Sequence, residues 1–150
     1  MSLEIGNILP EFVLKDQNGK DFVSKDFIGK KNLVIFFYPK DFTPGCTKEV
    51  CSFRDHYEEF QELGAEVVGI SGDTEKRHQK FSSNYKLPFR LLADVGNKVR
   101  KQFGVSKALL GLLPGRETYV FDEQGKLIFI FNNMNGAVHM KKALNALKKS

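Results

Sequence analysis

The chain has 150 residues and a mass of 17.0 kDa, a size at which one domain buries an adequate hydrophobic core. Hydrophobic residues make up 41% and charged residues 27%, which is typical of a globular protein, and no apolar run is long enough to cross a membrane. The opening MSLEIGNILP lacks the basic start and apolar middle of a signal peptide. We therefore predict one cytoplasmic domain over residues 1–150 without a membrane partner; a plastid location stays open if a transit segment was removed.

The net charge and the number of cysteines limit the kinds of function that the sequence favours. The net charge of +5 could suit nucleic acid, but the lysines are spread along the chain, so we expect a solvated basic face and no nucleic-acid partner. Two cysteines are too few for a disulfide scaffold, and their close spacing suggests reactive thiols. His56, His78 and His139 are too scattered to complete a four-ligand metal site with them. Without a glycine-rich phosphate loop either, we expect no metal and no cofactor.

The first elements along the chain are predicted to be a hairpin and a buried strand. Residues Glu11–Ser24 alternate around Asn18-Gly19, a hairpin signal, and a polar link follows at Asp26–Lys31. The apolar run Leu33–Tyr38 is typical of a strand buried on both faces. Pro39 cannot extend that strand, because it has no amide hydrogen to donate.

A helix that contains both cysteines is predicted next. Thr43 and Pro44 supply a hydroxyl at the N-cap and a proline at the first helical position. Cys46 lies on the apolar stripe of the helix and so faces the core, whereas Cys51, about 140° around the axis, lies nearer to water. The other members of the stripe are Val50, Phe53, Tyr57 and Phe60.

Cys46 is predicted to be an activated thiol. The first amides of a helix have no internal acceptor, so those of Gly45 and Cys46 can point at an anion. Together with the helix dipole they favour the thiolate, which is the nucleophilic form. Two α-carbons five residues apart on a helix are separated by roughly 8.6 Å, and a disulfide needs them within about 7 Å. Any bond between Cys46 and Cys51 would therefore require the helix to unwind.

The rest of the chain completes an α/β pattern. After Gly64 as a helix stop, a strand at Ala65–Ile70 should run parallel to the first buried strand, because a helix connects them. Asp73 and Thr74 are expected to cap the next helix. The further predicted elements are that helix at Thr74–Tyr85, a strand in Phe89–Asp94, a short helix ending at Gly104, a loop at Ser106–Gly115, a hairpin of Glu117–Asp122 with Lys126–Phe131, and a last helix at Ala137–Lys149. This order predicts a thioredoxin-like fold, with a central mixed sheet flanked by helices and an added N-terminal hairpin.

Several segments resemble one known family. Pro39, Thr43 and Cys46 stand in the spacing P-x-x-x-T-x-x-C, which is similar to the active-site signature of the peroxiredoxins. PGCTKEVCSFRD, with Cys51 five residues after Cys46, resembles the peroxiredoxin Q branch, also called bacterioferritin comigratory proteins. The similarity extends to VVGISGD, KLPFRLLAD, GNKVRKQFGV and LPGRETYVFD, and so covers nearly the whole chain.

The resemblance implies a role for each matching residue. Cys46 corresponds to the peroxidatic cysteine, which becomes a sulfenic acid, and Cys51 to the resolving cysteine that closes an intramolecular disulfide. Gly45 and Cys46 belong to the implied peroxide-binding site. The remaining implied roles are contact with thiolate and peroxide for Thr43, shielding from water for Pro39, peroxide binding for Arg116 and orientation of that arginine for Glu49. Thioredoxin or a similar dithiol protein is the implied reductant.

Other functions compete with this interpretation. A thiol-disulfide oxidoreductase would suit the fold, but it normally has C-x-x-C at the helix start, whereas four residues separate these cysteines. A peroxide sensor or chaperone-like module would be oxidised without efficient recycling. Outside the resemblance, Arg116 would be an ordinary surface arginine and Glu49 an ordinary first-turn acid. We expect a thiol peroxidase that acts on hydrogen peroxide or organic hydroperoxides, as a monomer or a weak homodimer.

Overall fold

The computed structural model describes residues 3–105, 107–108 and 113–149. The strands are β1 (Val13–Asp16), β2 (Asp21–Val23), β3 (Asn32–Phe37), β4 (Ala65–Ser71), β5 (Arg90–Ala93), β6 (Lys107–Ala108), β7 (Leu113–Pro114), β8 (Glu117–Phe121) and β9 (Leu127–Asn132). The α-helices are α1 (Pro44–Asp55), α2 (Tyr57–Glu62), α3 (Glu75–Tyr85), α4 (Lys98–Phe103) and α5 (His139–Lys149), and 3-10 helices lie at Ser24–Phe27 and Gly136–Val138.

A mixed sheet of seven strands in the order β2-β1-β5-β4-β3-β8-β9 forms the centre of the described structure. Strands β3, β4 and β5 are parallel, as the connecting helices require. The N-terminal hairpin joins the sheet through antiparallel pairing of β1 with β5, and the β8–β9 hairpin completes the opposite side. The predicted fold class and both predicted hairpins are confirmed.

Strand β3 is buried on both faces, as its continuous apolar sequence predicts. Its alternate residues enter two separate hydrophobic cores. Val34 and Phe36 pack on the side of α1 and α5, whereas Ile35 and Phe37 pack on the side of α4 and the N-terminal hairpin. Phe36 stacks on Phe53 of α1 at a ring distance of 4.5 Å, which fixes the helix against the sheet.

The cysteine-containing helix is shorter than its apolar stripe predicts. It ends at Asp55, and His56 has non-helical backbone angles before α2 begins at Tyr57. Tyr57 and Phe60 therefore belong to a second helix. The break lets the six-residue α2 pack against β4 independently of the direction of α1.

Two predicted connections contain local structure. The link expected at Asp26–Lys31 overlaps the 3-10 helix at Ser24–Phe27. Within the loop expected at Ser106–Gly115, β6 and β7 form a short antiparallel pair, so the prediction of an irregular loop was wrong there. Ser106 and residues 109–112 of that prediction lie outside the described residues. Among the residues described, no helix has the length and apolar character needed to cross a membrane.

Candidate active site

Cys46 lies in the first turn of α1 with its side chain fully buried in the core between α1 and the sheet. The predicted orientation towards the core is confirmed. The Nη2 group of Arg116 donates a hydrogen bond to the Sγ atom of Cys46 at 3.3 Å. The sulfur thus has a buried cation beside it, in addition to the helix N-terminus from which it projects.

The residues before Cys46 shape the start of the helix. Thr43 occupies the N-cap position and Pro44 the first turn, as predicted, but the Thr43 hydroxyl makes no capping bond. It donates instead to the carbonyl of Lys40 at 2.9 Å, so the predicted hydroxyl cap was wrong. Pro39 lies two residues after the end of β3 and is partly buried. Thr43 therefore stabilises the loop between β3 and α1 and leaves the first helical amides available to an anion.

Glu49 and Arg116 are joined by a buried hydrogen bond next to the sulfur. The Nη1 group of Arg116 donates to Oε1 of Glu49 at 2.5 Å. Burial raises the pKa of Glu49 to about 8, against the opposing effect of the Arg116 charge. Burial acts to lower the pKa of Arg116, but the charges of Glu49 and Cys46 outweigh this effect and leave that pKa raised. One guanidinium therefore serves two acceptors, the carboxyl group and the thiol.

His139, at the start of α5, lies beside the carboxyl group of Glu49. Nothing in the sequence around His139 indicated this position. Its Nε2 lies 2.6 Å from the carbonyl oxygen of Asn133, so the bonding pattern assigns the ring hydrogen to that nitrogen. Nδ1 then accepts from the hydroxyl of Thr118 at 2.7 Å and lies 3.5 Å from Oε2 of Glu49. Burial lowers the pKa of His139 to about 4, so the ring is neutral near pH 7.

Gly136 allows this C-terminal segment to approach α1 closely. A Cβ atom at this position would lie 2.6 Å from the carbonyl oxygen of Gly45 and 3.1 Å from Nη1 of Arg116. A Cβ at Gly45 would itself lie 3.3 Å from Nη2 of Arg116. A side chain at Gly136 would therefore collide with the backbone of Gly45, and one at Gly45 would crowd the Arg116 side chain.

A buried polar network holds the loop between β3 and α1 from the other side. Asp41 accepts from the hydroxyl of Tyr38 at 2.5 Å, and its other carboxyl oxygen lies 2.6 Å from Nδ1 of His78. The amide of Asp41 donates to Asp73 at 2.8 Å. Asp73 also pairs with Arg77, so its predicted role as a helix cap was wrong, and Thr74 alone caps α3. The network ties the loop to β4 and α3.

Asp41, Asp73 and His78 also bring three possible metal ligands within 4.8 Å of one another. Their side-chain atoms already bond within the protein: His78 contacts Asp41 and the Leu92 carbonyl, and Asp73 accepts from Asp41 and Ser71. We interpret the group as an internal hydrogen-bond network.

Cys51 differs from Cys46 in its surroundings. It is partly buried, and both cysteines are free thiols. Burial raises the pKa of Cys51, and Asp55 acts in the same direction, whereas Arg54 acts against them. A raised pKa keeps Cys51 protonated near pH 7, in contrast to the cation and helix terminus that surround Cys46.

The structure brings most of the predicted site residues to one place. The Arg116 side chain lies next to Gly45, Cys46 and Glu49. The loop that precedes them contains Pro39 and Thr43. Cys51 lies further along α1. Sequence reasoning missed His139 and Thr118, because each reaches the site from an element distant in the chain. It also missed Asp41, which precedes α1 in the same loop, because no local spacing indicates its bond with the distant His78.

The comparisons with known proteins agree with this geometry. Residues 5–130 match the model of the AhpC/TSA family. The chain is 56% identical over 128 residues to a protein of Sedum lineare named peroxiredoxin Q, chloroplastic. The matched region covers 85% of this chain and 68% of that protein. The chain belongs to the AhpC/TSA family, in its peroxiredoxin Q branch. It spans between 58% and 68% of the length of such plant relatives.

Solved peroxiredoxin structures have the same fold. Peroxidoxin BcpB from Mycobacterium tuberculosis superposes with a TM-score of 0.89 at 37% identity, over 98% of this chain and 97% of that one. A bacterioferritin comigratory protein of Xanthomonas campestris, described with alkyl peroxide reduction activity, has a TM-score of 0.85 at 28% identity, over 95% and 98% of the two chains. The thioredoxin-like peroxiredoxin fold predicted from the sequence is therefore confirmed.

Proposed function

We propose that this chain is a thiol peroxidase that reduces hydrogen peroxide and organic hydroperoxides at Cys46. One observation carries the proposal: Arg116 bonds both the Sγ atom of Cys46 and the carboxyl group of Glu49. A guanidinium in that position stabilises the thiolate before the reaction and the negative charge that develops on the leaving oxygen during it. Membership of the peroxiredoxin Q branch supports the same activity.

The proposed reaction balances without a metal or an organic cofactor. The Cys46 thiolate attacks one peroxide oxygen, the O–O bond breaks, and the electron pair leaves on the distal oxygen, which takes up a proton to give water or an alcohol. Cys46 is left as a sulfenic acid. The thiol of Cys51 then displaces water from that sulfur to give a disulfide, and a dithiol protein such as thioredoxin returns both thiols by exchange.

A pair of cysteine variants tests this proposal. Cys46→Ser is expected to abolish peroxide consumption, because serine has no sulfur to accept the oxygen. Cys51→Ser should keep the first oxidation at the wild-type rate and accumulate sulfenic acid, detected by mass spectrometry after one equivalent of hydrogen peroxide. Peroxide turnover by Cys46→Ser would contradict the assignment, and rapid intramolecular disulfide formation by Cys51→Ser would contradict the role of Cys51.

The same proteins separate this proposal from a thiol-disulfide oxidoreductase. We expect the oxidation of wild-type protein by hydrogen peroxide to be much faster than its exchange with a small disulfide such as oxidised glutathione. The reverse order would favour the oxidoreductase. Oxidation without recycling by thioredoxin would favour a peroxide sensor.

The reductant, the assembly and the compartment are also proposals. Thioredoxin is the proposed dithiol partner, and the proposed assembly is a monomer that forms at most a weak homodimer, which sedimentation measurements test. The chloroplast location in the names of the plant relatives supports a plastid more directly than the cytoplasm expected from the sequence. Microscopy of the tagged protein in its source cells distinguishes the two compartments.

A further inference from the structure

Arg100 is a buried arginine on α4 that contacts both chain segments of the candidate site. Only 6% of its surface is exposed. Its Nη2 group donates to the carbonyl oxygen of Tyr38 at 2.8 Å, and its Nη1 group donates to the carbonyl oxygen of Gly115 at 2.5 Å. Tyr38 immediately precedes Pro39, and Gly115 immediately precedes Arg116. A single planar group therefore bonds the backbone at the base of both active-site segments.

The surroundings of Arg100 hold this planar group in place. The carboxyl group of Asp94 accepts from the amides of Val99 and Arg100 at 3.0 and 2.9 Å, which anchors the first turn of α4. The guanidinium carbon lies 5.6 Å from the centre of the Phe37 ring in β3. Since both the helix and the head group are fixed, the two hydrogen bonds set the separation between the Pro39 segment and the Arg116 segment.

Arg100 also brings a second positive charge to the interior around Cys46. Burial lowers the pKa of Arg100, and the charges of Asp94, Glu117 and Cys46 act against that effect. Arg116 bonds the Cys46 sulfur through its Nη2 group, whereas Arg100 bonds the backbone carbonyls of the two segments.

We propose that Arg100 is a positioning residue of the peroxidase site, which fixes the separation of Arg116 and Cys46 through the backbone carbonyls of Tyr38 and Gly115. This inference rests on the proposed function. Lysine cannot replace arginine in this role, because an ammonium group lacks the rigid fork that reaches two acceptors at once. Methionine keeps the apolar stem and removes the charge.

The variants Arg100→Lys and Arg100→Met test this positioning role. The measurements are the rate at which one equivalent of hydrogen peroxide oxidises Cys46, without any reductant, and the rate of Cys46 alkylation by iodoacetamide between pH 5 and pH 9. Both use a Cys51→Ser background, so that Cys46 is the only thiol. We expect Arg100→Lys to oxidise roughly tenfold to a hundredfold more slowly, since small errors of alignment cost rates of this order. Its alkylation midpoint should stay near that of the background protein.

Arg100→Met should lose at least as much oxidation rate as Arg100→Lys, because it removes both hydrogen bonds to the two segments. Lys101→Met is the matched control, because it removes a charge from the exposed face of the same helix and should change neither measurement. All rates are compared at a temperature where circular dichroism shows each variant folded. An Arg100 variant that is less stable but keeps the background rate and midpoint would show a purely structural role and overturn the proposal.

The background protein separates this outcome from failure of the proposed function. If the Cys51→Ser protein does not react with peroxide at Cys46, the proposed function itself fails. If it reacts and the Arg100 variants react equally well, only the inference about Arg100 fails.

Discussion

Glu49 is the residue at which two physical effects oppose each other most directly. Complete burial favours the neutral carboxyl group and raises its pKa to about 8, while Arg116 favours the carboxylate. The Oε2 atom has no hydrogen-bond donor within reach in the described structure, and it faces the lone pair on Nδ1 of neutral His139. A proton on Oε2 would remove that repulsion and leave Oε1 as the acceptor for Arg116. The charge of Arg116 is then available to the sulfur of Cys46.

This competition for Arg116 predicts a pH dependence of Cys46 oxidation. As the pH rises through about 8, Glu49 ionises and its negative charge offsets the positive charge of Arg116. Arg116 then stabilises the Cys46 thiolate less, so the rate of oxidation by hydrogen peroxide should fall. Glu49→Gln keeps an acceptor for Arg116 and cannot ionise, so its rate should stay level above pH 8. Glu49→Ala removes the acceptor and should react roughly tenfold to a hundredfold more slowly at all pH values. Stopped-flow rates of the three proteins from pH 6 to pH 9 provide the measurement, and superimposable wild-type and Glu49→Gln profiles would contradict the argument.

Helix α1 is the element whose stability the proposed cycle must change. Cys46 and Cys51 both lie within its continuous turns, where their α-carbons are roughly 8.6 Å apart, too far for a disulfide. The loop before the helix is held by Asp41, and the break at His56 separates the helix from α2. Unwinding can therefore remain confined to α1, at the expense of the contacts that Cys46 makes with Arg116.

Hydrogen exchange tests this prediction for α1. In the reduced protein, the amides from Val50 to Arg54 should exchange slowly, and after one equivalent of peroxide they should exchange at least about tenfold faster, because the disulfide requires an unwound helix. Amides of α5 should change little. Peroxide-treated Cys51→Ser is the matched control, since it forms sulfenic acid without a disulfide and should keep α1 protected. Equal exchange in the reduced and disulfide forms of the wild type would rule out local unwinding.

At the scale of the whole molecule, the buried groups Glu49 and His139 make the free energy of unfolding depend on pH. The pKa of Glu49 rises from its ordinary value of 4.5 to about 8 on folding, so its contribution to stability is present below pH 4.5 and is lost as the pH rises through about 8. The pKa of His139 falls from 6.5 to about 4, so its contribution is present above pH 6.5 and is lost as the pH falls through about 4. Between pH 4.5 and 6.5 the Glu49 contribution to stability falls with pH while the His139 contribution rises at the same rate, so the two changes cancel.

Denaturant unfolding at a series of pH values tests this balance. Between pH 6.5 and 8 the free energy of unfolding should fall by up to about 1.4 kcal/mol per pH unit from Glu49 alone, the equivalent of one proton. Glu49→Gln should remove this fall, whereas Glu62→Gln, an exposed control, should retain it. A fall of the same size in Glu49→Gln would show that other groups cause it.

The sequence alone determined the features that depend on neighbours along the chain. The apolar run of β3, the turn at Asn18-Gly19 and the Thr43-Pro44 helix start predicted the elements, and the stripe through Val50 predicted that Cys46 faces the core. These predictions succeeded because side-chain periodicity and turn chemistry are local. Resemblance to the family added Glu49 and Arg116 as candidates for the site.

Only the tertiary structure decided how distant residues combine. Arg100 and His139 reach the site from α4 and α5, and Asp41, in the loop before α1, bonds His78 of α3. Nothing in their local sequence distinguishes these residues from ordinary surface or core residues. The Thr43 hydroxyl bonds the nearby carbonyl of Lys40 and so does not cap α1, and Asp73 accepts from the distant amide of Asp41 and so does not cap α3. The reason is physical: a buried polar group must find a partner, and the folded chain determines which partners are within hydrogen-bond distance.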